Sequence, residues 1–221
     1  INDNAKELKQ TLNETLRKEQ NCLEQIRHSI NHCKNNIAVC EKQIKKCSSA
    51  SLAILETKKS AFKDNLLIWN TMGHIQMASI EMKEYMKRLS VESIDEWEER
   101  DVIKSVYTAI YETSKKLVDA TADIFKFIKH YFPNYDYRAF TDVRKELCRF
   151  RESNTSELTR VRNTIDAHRD VEVSVQIEVI EGLHLANAVQ LIVEYEGIIN
   201  KLGNETSPIK ELGLKRLQAC F

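Results

Sequence analysis

Apolar residues along the first fifty positions recur at alternating steps of three and four. One row reads Leu16, Leu23, Ile30, Ile37 and Ile44, and the other reads Leu12, Glu19, Ile26, Cys33, Cys40 and Cys47. A period of 3.5 residues keeps an apolar seam facing a partner helix, which is typical of a coiled coil. The pattern therefore predicts one long helix over about residues 5–47, with Glu19 as the charged intrusion in its seam.

The heptads leave the partner of this helix open. It is either a second copy of the chain or the segment after the polar cluster at residues 48–51, folded back as an antiparallel hairpin. Cysteines seven residues apart on one helix are separated by about 10 Å, too far for a disulfide, so the seam cysteines are predicted to be reduced and buried. His28, His32 and Cys33 fall short of the four ligands of a zinc site, and no metal is expected.

Helical spacing of apolar residues continues through the middle of the chain. Residues 52–89 are predicted to be helical, and Gly73 allows a bend within them. Ser93 and Glu96 have the spacing of a capping box, which predicts the start of a helix that ends near His130.

The strongest break in the sequence surrounds Pro133, because proline disfavours helical conformation in the residue before it. The three tyrosines of this segment, Tyr131, Tyr135 and Tyr137, are expected to fold over the end of the bundle. Beyond it the sequence predicts a helix over 141–151, a polar connection at 153–156, a helix through 160–170, an apolar helix over 171–202 and a last short helix from Ser207-Pro208.

Composition agrees with this reading. The 221 residues include five Gly and two Pro, too few for the turns of a sandwich or barrel or for repeated Gly-rich phosphate loops. We therefore predict an all-α protein, with a long N-terminal coiled-coil helix followed by an antiparallel helical bundle. Its predicted divisions are a coiled-coil arm (1–50), connecting helices (51–92) and the bundle (93–221).

Charge and hydropathy narrow the expected partners. The chain has 33 basic and 33 acidic residues, so any site for a polyanion must be a local patch. No stretch approaches the roughly 20 apolar residues that span a bilayer, and nothing at Ile1 resembles a signal peptide. A cytoplasmic location and no membrane partner are expected, although a removed targeting segment stays open because the sequence does not begin with Met.

One local patch contains a recognisable motif. Residues 138–169 carry eight Lys or Arg against five Asp or Glu, and the next 27 residues carry six acids and no Lys or Arg. Within the basic segment lies Arg162-Asn163-Thr164-Ile165-Asp166-Ala167-His168-Arg169-Asp170. Its Arg-Asn start and Ala-His-x-Asp finish resemble the signature of the HEPN superfamily, most closely its abortive-infection branch.

The resemblance implies a fold and an activity. Members of that superfamily are helical bundles that often dimerise, and many are metal-independent ribonucleases of defence and toxin systems. It implies that His168 acts as general acid or base while Arg162 binds the scissile phosphate, with no cofactor. It further implies supporting roles for Asn163 and Asp170, and RNA binding by Arg160 and Arg169.

The spacing of the two central residues creates a geometric difficulty. Six residues of an ideal helix turn by about 600°, which leaves Arg162 and His168 about 120° apart unless the helix starts or bends between them. In the family, two protomers contribute these residues to a shared cleft, so RNA and a second copy are expected partners, with an antitoxin or sensor protein as a further candidate. The alternative is a non-catalytic protein whose coiled coil and bundle serve assembly.

Overall fold

The computed structural model describes residues 2–164 and 172–220, and over these it is all-α, as predicted. In chain order the helices are α1 (Asn2–Ile44), α2 (Ser49–Val91), α3 (Glu96–Tyr131), α4 (Arg138–Arg162), α5 (Val173–Glu181) and α6 (Leu185–Gln218). The single long helix predicted at the N-terminus is therefore confirmed. None of the helices in these two ranges is long and apolar enough to cross a bilayer.

α1 folds back on α2 as an antiparallel hairpin. Glu19 of α1 pairs with Lys83 near one end of α2, and Glu41 pairs with Lys59 near the other. The predicted seam lies in this interface, where its buried members are Leu16, Ile26, Cys33 and Cys40. The second helix of the same chain thus occupies the seam, and the seam cysteines are free thiols.

α2 is the central helix, because α1, α3 and α6 all pack against it. α6 runs antiparallel to α2: its Glu196 pairs with Lys83, and its Arg216 pairs with Asp64 nearer the start of α2. Side chains of α2, α3, α4 and α6 form one continuous apolar core that excludes water from residues such as Ile110. Burial of the apolar surface of these side chains is the main source of the stability of the fold.

α3 starts two residues later than the predicted capping box allows. Asp95, not Ser93, is the N-cap: its carboxylate accepts from the Glu98 amide at 2.8 Å, and the Glu98 side chain accepts from the Asp95 amide at 3.4 Å. The assignment to Ser93 and Glu96 was wrong. The observed register keeps a capping box and places Glu96, Glu98 and Glu99 in the first turn, where the helix dipole favours negative charge.

α4 is continuous through residues 153–156, where the sequence predicted a polar connection. Asn154 donates to the Phe150 carbonyl at 2.8 Å, and Thr155 donates to the Arg151 carbonyl at 2.5 Å. Leu158, one turn further, is fully buried. The polar side chains therefore bond to the carbonyls of their own helix and do not interrupt it.

The last two helices also differ from the prediction. Residues 182–184 separate α5 from α6, so the predicted continuous helix over 171–202 was wrong. The predicted restart at Ser207-Pro208 was also wrong, because α6 runs through Pro208. An interior proline costs a helix about 3 kcal/mol. Here the neighbouring turns bury Thr206, Ile209 and Leu212, and this burial offsets the cost.

The tyrosines at the end of α3 and just after it lie where the sequence placed them. Tyr131, Tyr135 and Tyr137 are partly buried against the end of the core. The ring of Tyr137 meets that of Phe125 edge to face, with centroids 5.5 Å apart. They therefore serve as a packed aromatic cover, as predicted.

Candidate functional site

Arg162, the predicted phosphate-binding residue, is the last residue of α4 and leans on α3. Its Nε donates to Oε1 of Glu112 at 3.3 Å, and its guanidinium lies over the Tyr111 ring, 5.5 Å from the centroid. Its Nη1 donates to Oδ1 of Asn163 at 3.1 Å. The Arg162 side chain nevertheless stays 33% exposed, and that of Glu112 stays 40% exposed.

The contacts from described residues fix the guanidinium through two of its three nitrogens. Arginine has five N–H groups, and the bonds to Glu112 and Asn163 use Nε and Nη1. Among the described residues, no hydrogen bond engages Nη2 of Arg162. The exposed edge of the guanidinium is thus oriented by its neighbours and still able to bind an oxyanion.

The remaining residues of the motif divide into two groups. Asn163 is placed directly beside Arg162 and keeps right-handed helical angles, with φ −73° and ψ −39°. His168, Arg169 and Asp170 lie outside the described residues. Of the predicted catalytic pair, the structure therefore places Arg162.

Arg160, predicted to bind RNA, is exposed and lies near the hydrogen-bonded pair Tyr107 and Glu157. The buried Tyr107 hydroxyl donates to Oε1 of Glu157 at 3.3 Å. Burial, with the charge of Glu157 and its hydrogen bond, raises the pKa of Tyr107 to about 12, and the positive charge of Arg160 opposes this shift. A cavity of about 170 Å³ adjoins this pair and is lined by side chains of α3, α4 and α6, including Asn187.

The basic segment 138–169 is less positive in the fold than its sequence suggests. Arg138 pairs with Asp136 at 2.6 Å, Lys145 with Asp142 at 3.1 Å, and Arg162 with Glu112. Two of these carboxylates, Asp136 and Glu112, come from outside the segment. The pairs Arg138–Asp136 and Lys145–Asp142 are local in sequence. The pairing of Arg162 with Glu112 depends on how α3 and α4 meet, so periodicity gave no sign of it.

A second ionic cluster joins α1, α2 and α6. Lys83 is 12% exposed and pairs with both Glu19 and Glu196. Burial alone would lower the pKa of Lys83, but the hydrogen bonds and charges of the two glutamates outweigh it and raise that pKa. An amine held in its charged form by two carboxylates is a structural tie and a poor nucleophile, so we assign no chemistry to it.

The described residues contain no group of His, Cys, Asp or Glu side chains arranged to hold a metal ion. The chain matches no family model, no curated protein and no solved structure. The likeness to HEPN proteins therefore depends on the segment from Arg162 to Asp170.

Proposed function

We propose that this protein is a metal-independent RNA endonuclease of the HEPN type, acting in a defence or toxin system. In this proposal Arg162 binds the scissile phosphate and His168 acts as general acid or base, in a cleft that two copies share. The observation that supports it most is the Arg162 guanidinium, which is partly exposed, held by Glu112 and Asn163, and followed within the motif by a histidine.

The proposed reaction uses these two side chains and one further proton donor. The imidazole of His168 takes the proton of a ribose 2′-OH, and the 2′-oxygen attacks the adjacent phosphorus. The bond to the 5′-oxygen breaks, and that oxygen leaves with a proton, which a second imidazole or water supplies. The products are a 2′,3′-cyclic phosphate and a 5′-hydroxyl end, while Arg162 stabilises the charge on the phosphoryl oxygens.

The test is cleavage of a mixed-sequence single-stranded RNA oligonucleotide by the purified protein in excess EDTA. We expect cleavage with cyclic-phosphate ends, and no cleavage of the same sequence made of DNA. Arg162→Ala and His168→Ala should each lower the rate at least a hundredfold. Arg138→Ala is the matched control, since Arg138 is an exposed arginine of the same helix that pairs with Asp136.

Two results would refute the proposal. One is the absence of RNA cleavage by folded wild-type protein across a wide concentration range. The other is full activity in both the Arg162 and His168 variants. Because the cleft is proposed to form between copies, the specific activity should also rise with protein concentration.

The competing function is that of a non-catalytic assembly protein. The observation that favours it is the pairing of Arg162 with Glu112, because a carboxylate beside a guanidinium competes with phosphate. In that case Arg162→Ala would lower the stability of the fold, and no RNA would be cut at any concentration.

A further inference from the structure

The turn end of the α1–α2 hairpin, which we call the hairpin tip, exposes apolar and basic side chains together. Three aliphatic residues there, Val39, Leu52 and Ile54, are 50%, 41% and 65% exposed. Three exposed lysines, Lys42, Lys45 and Lys46, flank them and pair with no carboxylate of the described residues. A groove of about 360 Å³ lies between α1 and α2 at this point, with Leu55 in its wall.

The short helix α5 has the opposite character. Three of its apolar residues face water, with Val173 at 68%, Val175 at 39% and Ile177 at 41% exposure. The helix and the residue before it also carry three exposed acids, Glu172, Glu178 and Glu181, and no ion pair within residues 2–164 and 172–220 involves these acids. We call these residues the α5 patch. Its helix is anchored by the buried Val179.

These two surfaces lie at opposite ends of the molecule. α6 bonds to Ser60 of α2 through Arg216 near its C-terminus, and to Lys83 of α2 through Glu196 near its N-terminus. The stretch of α2 from Ser60 to Lys83 is about 35 Å long. The hairpin tip lies beyond the contact between Arg216 and Ser60. The helix α5, which precedes α6, lies beyond the contact between Glu196 and Lys83. The two surfaces therefore cannot meet within one chain.

We infer that the hairpin tip of one copy docks on the α5 patch of a second copy. The tip offers exposed aliphatic side chains framed by lysines, and the α5 patch offers exposed aliphatic side chains framed by glutamates. Each surface supplies the charge and the apolar area that the other leaves unpartnered. This docking does not depend on the proposed ribonuclease activity.

The geometry determines the kind of assembly. A contact between two different surfaces is heterologous, so it builds open chains or rings of copies and not an isolated pair. Each patch consists of a few side chains, which places the interface in the small class typical of weak complexes. Association should therefore appear at micromolar concentrations and should weaken as salt screens the charges.

The test is sedimentation velocity of the whole chain from about 5 to 200 μM, in low and in high salt. We expect the weight-average mass to rise with concentration in low salt. Charge reversal of the tip (Lys42→Glu, Lys45→Glu and Lys46→Glu) or of the patch (Glu172→Lys, Glu178→Lys and Glu181→Lys) should weaken association at least tenfold. A protein carrying both sets should associate again, because its tip and patch are complementary with the signs exchanged.

Substitutions outside both surfaces serve as controls for those within them. Lys9→Glu, Lys34→Glu and Lys115→Glu together change the charge equally on exposed lysines elsewhere and should leave the association unchanged. Ile54→Asp and Ile177→Asp should abolish it, whereas Met77→Asp, at a residue 48% exposed on α2, should not. Thermal unfolding monitored by circular dichroism establishes that each variant is folded.

Three outcomes would overturn the inference. The wild type stays monomeric over the whole concentration range, the reversals leave association unchanged, or the doubly reversed protein is folded and monomeric. Recovery of association in that doubly reversed protein, together with loss in each single set, would establish the pairing of these two surfaces.

Discussion

The Nζ of Lys83 lies 2.8 Å from Oε1 of Glu19, so the one charged residue of the α1 seam meets a lysine of α2. Ser79 accepts from the same ammonium at 2.7 Å, and Glu196 of α6 pairs with it from the other side. Glu19, the charged residue that interrupts the heptad pattern, thus takes part in a polar contact that joins three helices.

Removal of this lysine should be costly. Lys83→Met leaves Glu19 and Glu196 facing each other in a largely buried site, and we expect the free energy of unfolding to fall by about 3–5 kcal/mol. Urea denaturation followed by circular dichroism measures this loss. Lys126→Met is the control, because Lys126 is 76% exposed and its ion pair should contribute little.

The same cluster offers a rescue experiment. Replacing all three members, as Lys83→Met with Glu19→Leu and Glu196→Leu, removes every buried charge and should recover most of the lost stability. If the triple variant is no more stable than Lys83→Met, the cost lies in lost packing and not in unpaired charge.

A contrasting pair of glycine substitutions tests the packing of α6 on α2. A Cβ on Gly213 would lie 2.8 Å from Cδ1 of Ile68 and 2.9 Å from Oδ1 of Asn65, and Asn65 also donates to the Gly213 carbonyl. Gly213→Ala should therefore lower the free energy of unfolding by about 1–3 kcal/mol. Gly197→Ala meets nothing within 4 Å and should raise it by about 0.5–1 kcal/mol, since alanine favours helix.

The buried Tyr107 predicts how stability falls at high pH. Its pKa is raised to about 12, so the folded protein holds the phenolic proton more tightly than the unfolded chain, where a tyrosine titrates near 10. This contribution is fully present below pH 10 and is lost as the pH rises toward 12. The loss should reach about 2–3 kcal/mol.

The variant Tyr107→Phe isolates this effect from the titration of other groups. The difference in free energy of unfolding between wild type and variant should be constant from pH 8 to about 9.5 and then shrink or change sign above pH 10. A difference that stays constant up to pH 12 would contradict the assignment.

If Arg162 binds RNA phosphate as proposed, Glu112 should restrain it. Glu112→Gln removes a negative charge 3.3 Å from the guanidinium and should tighten RNA binding about three- to tenfold at low salt. Fluorescence anisotropy with a labelled single-stranded RNA measures the change. In an Arg162→Ala background the same substitution should have a much smaller effect, because the carboxylate then has no guanidinium to occupy.

The prediction of the fold succeeded where one spacing of apolar residues repeated over a long segment. The seam of α1 repeats through six heptads, so the helix and the face that packs on α2 followed from spacing alone, although Cys47 lies beyond the end of α1 and is only partly buried. Predictions at single positions were weaker: Ser93 and Asp95 both suit an N-cap, and the helix begins after Asp95. Asn154 and Pro208 suggested breaks because local propensity favours them, yet buried neighbours such as Leu158 and Ile209 keep both helices intact.

The candidate site was only partly predictable for a related reason. The motif singled out Arg162 and Asn163 by residue type, and these two side chains bond to each other. It gave no sign of Glu112 or Tyr111, which lie some fifty positions earlier and reach Arg162 through the packing of α3 against α4. Partners of this kind follow from the fold and not from any local pattern.

The position of α1 at the outside of the molecule has a consequence for how the protein opens. α1 packs mainly against one neighbour, α2, whereas α2 is covered on several sides. Segments with few buried contacts detach at a lower free energy than the whole domain unfolds. The backbone amides of α1 should then exchange with deuterium sooner than those of α2. Such behaviour would make the outer helix a separate cooperative unit. Its release would expose Cys33 and Cys40 to solvent while the core stays folded.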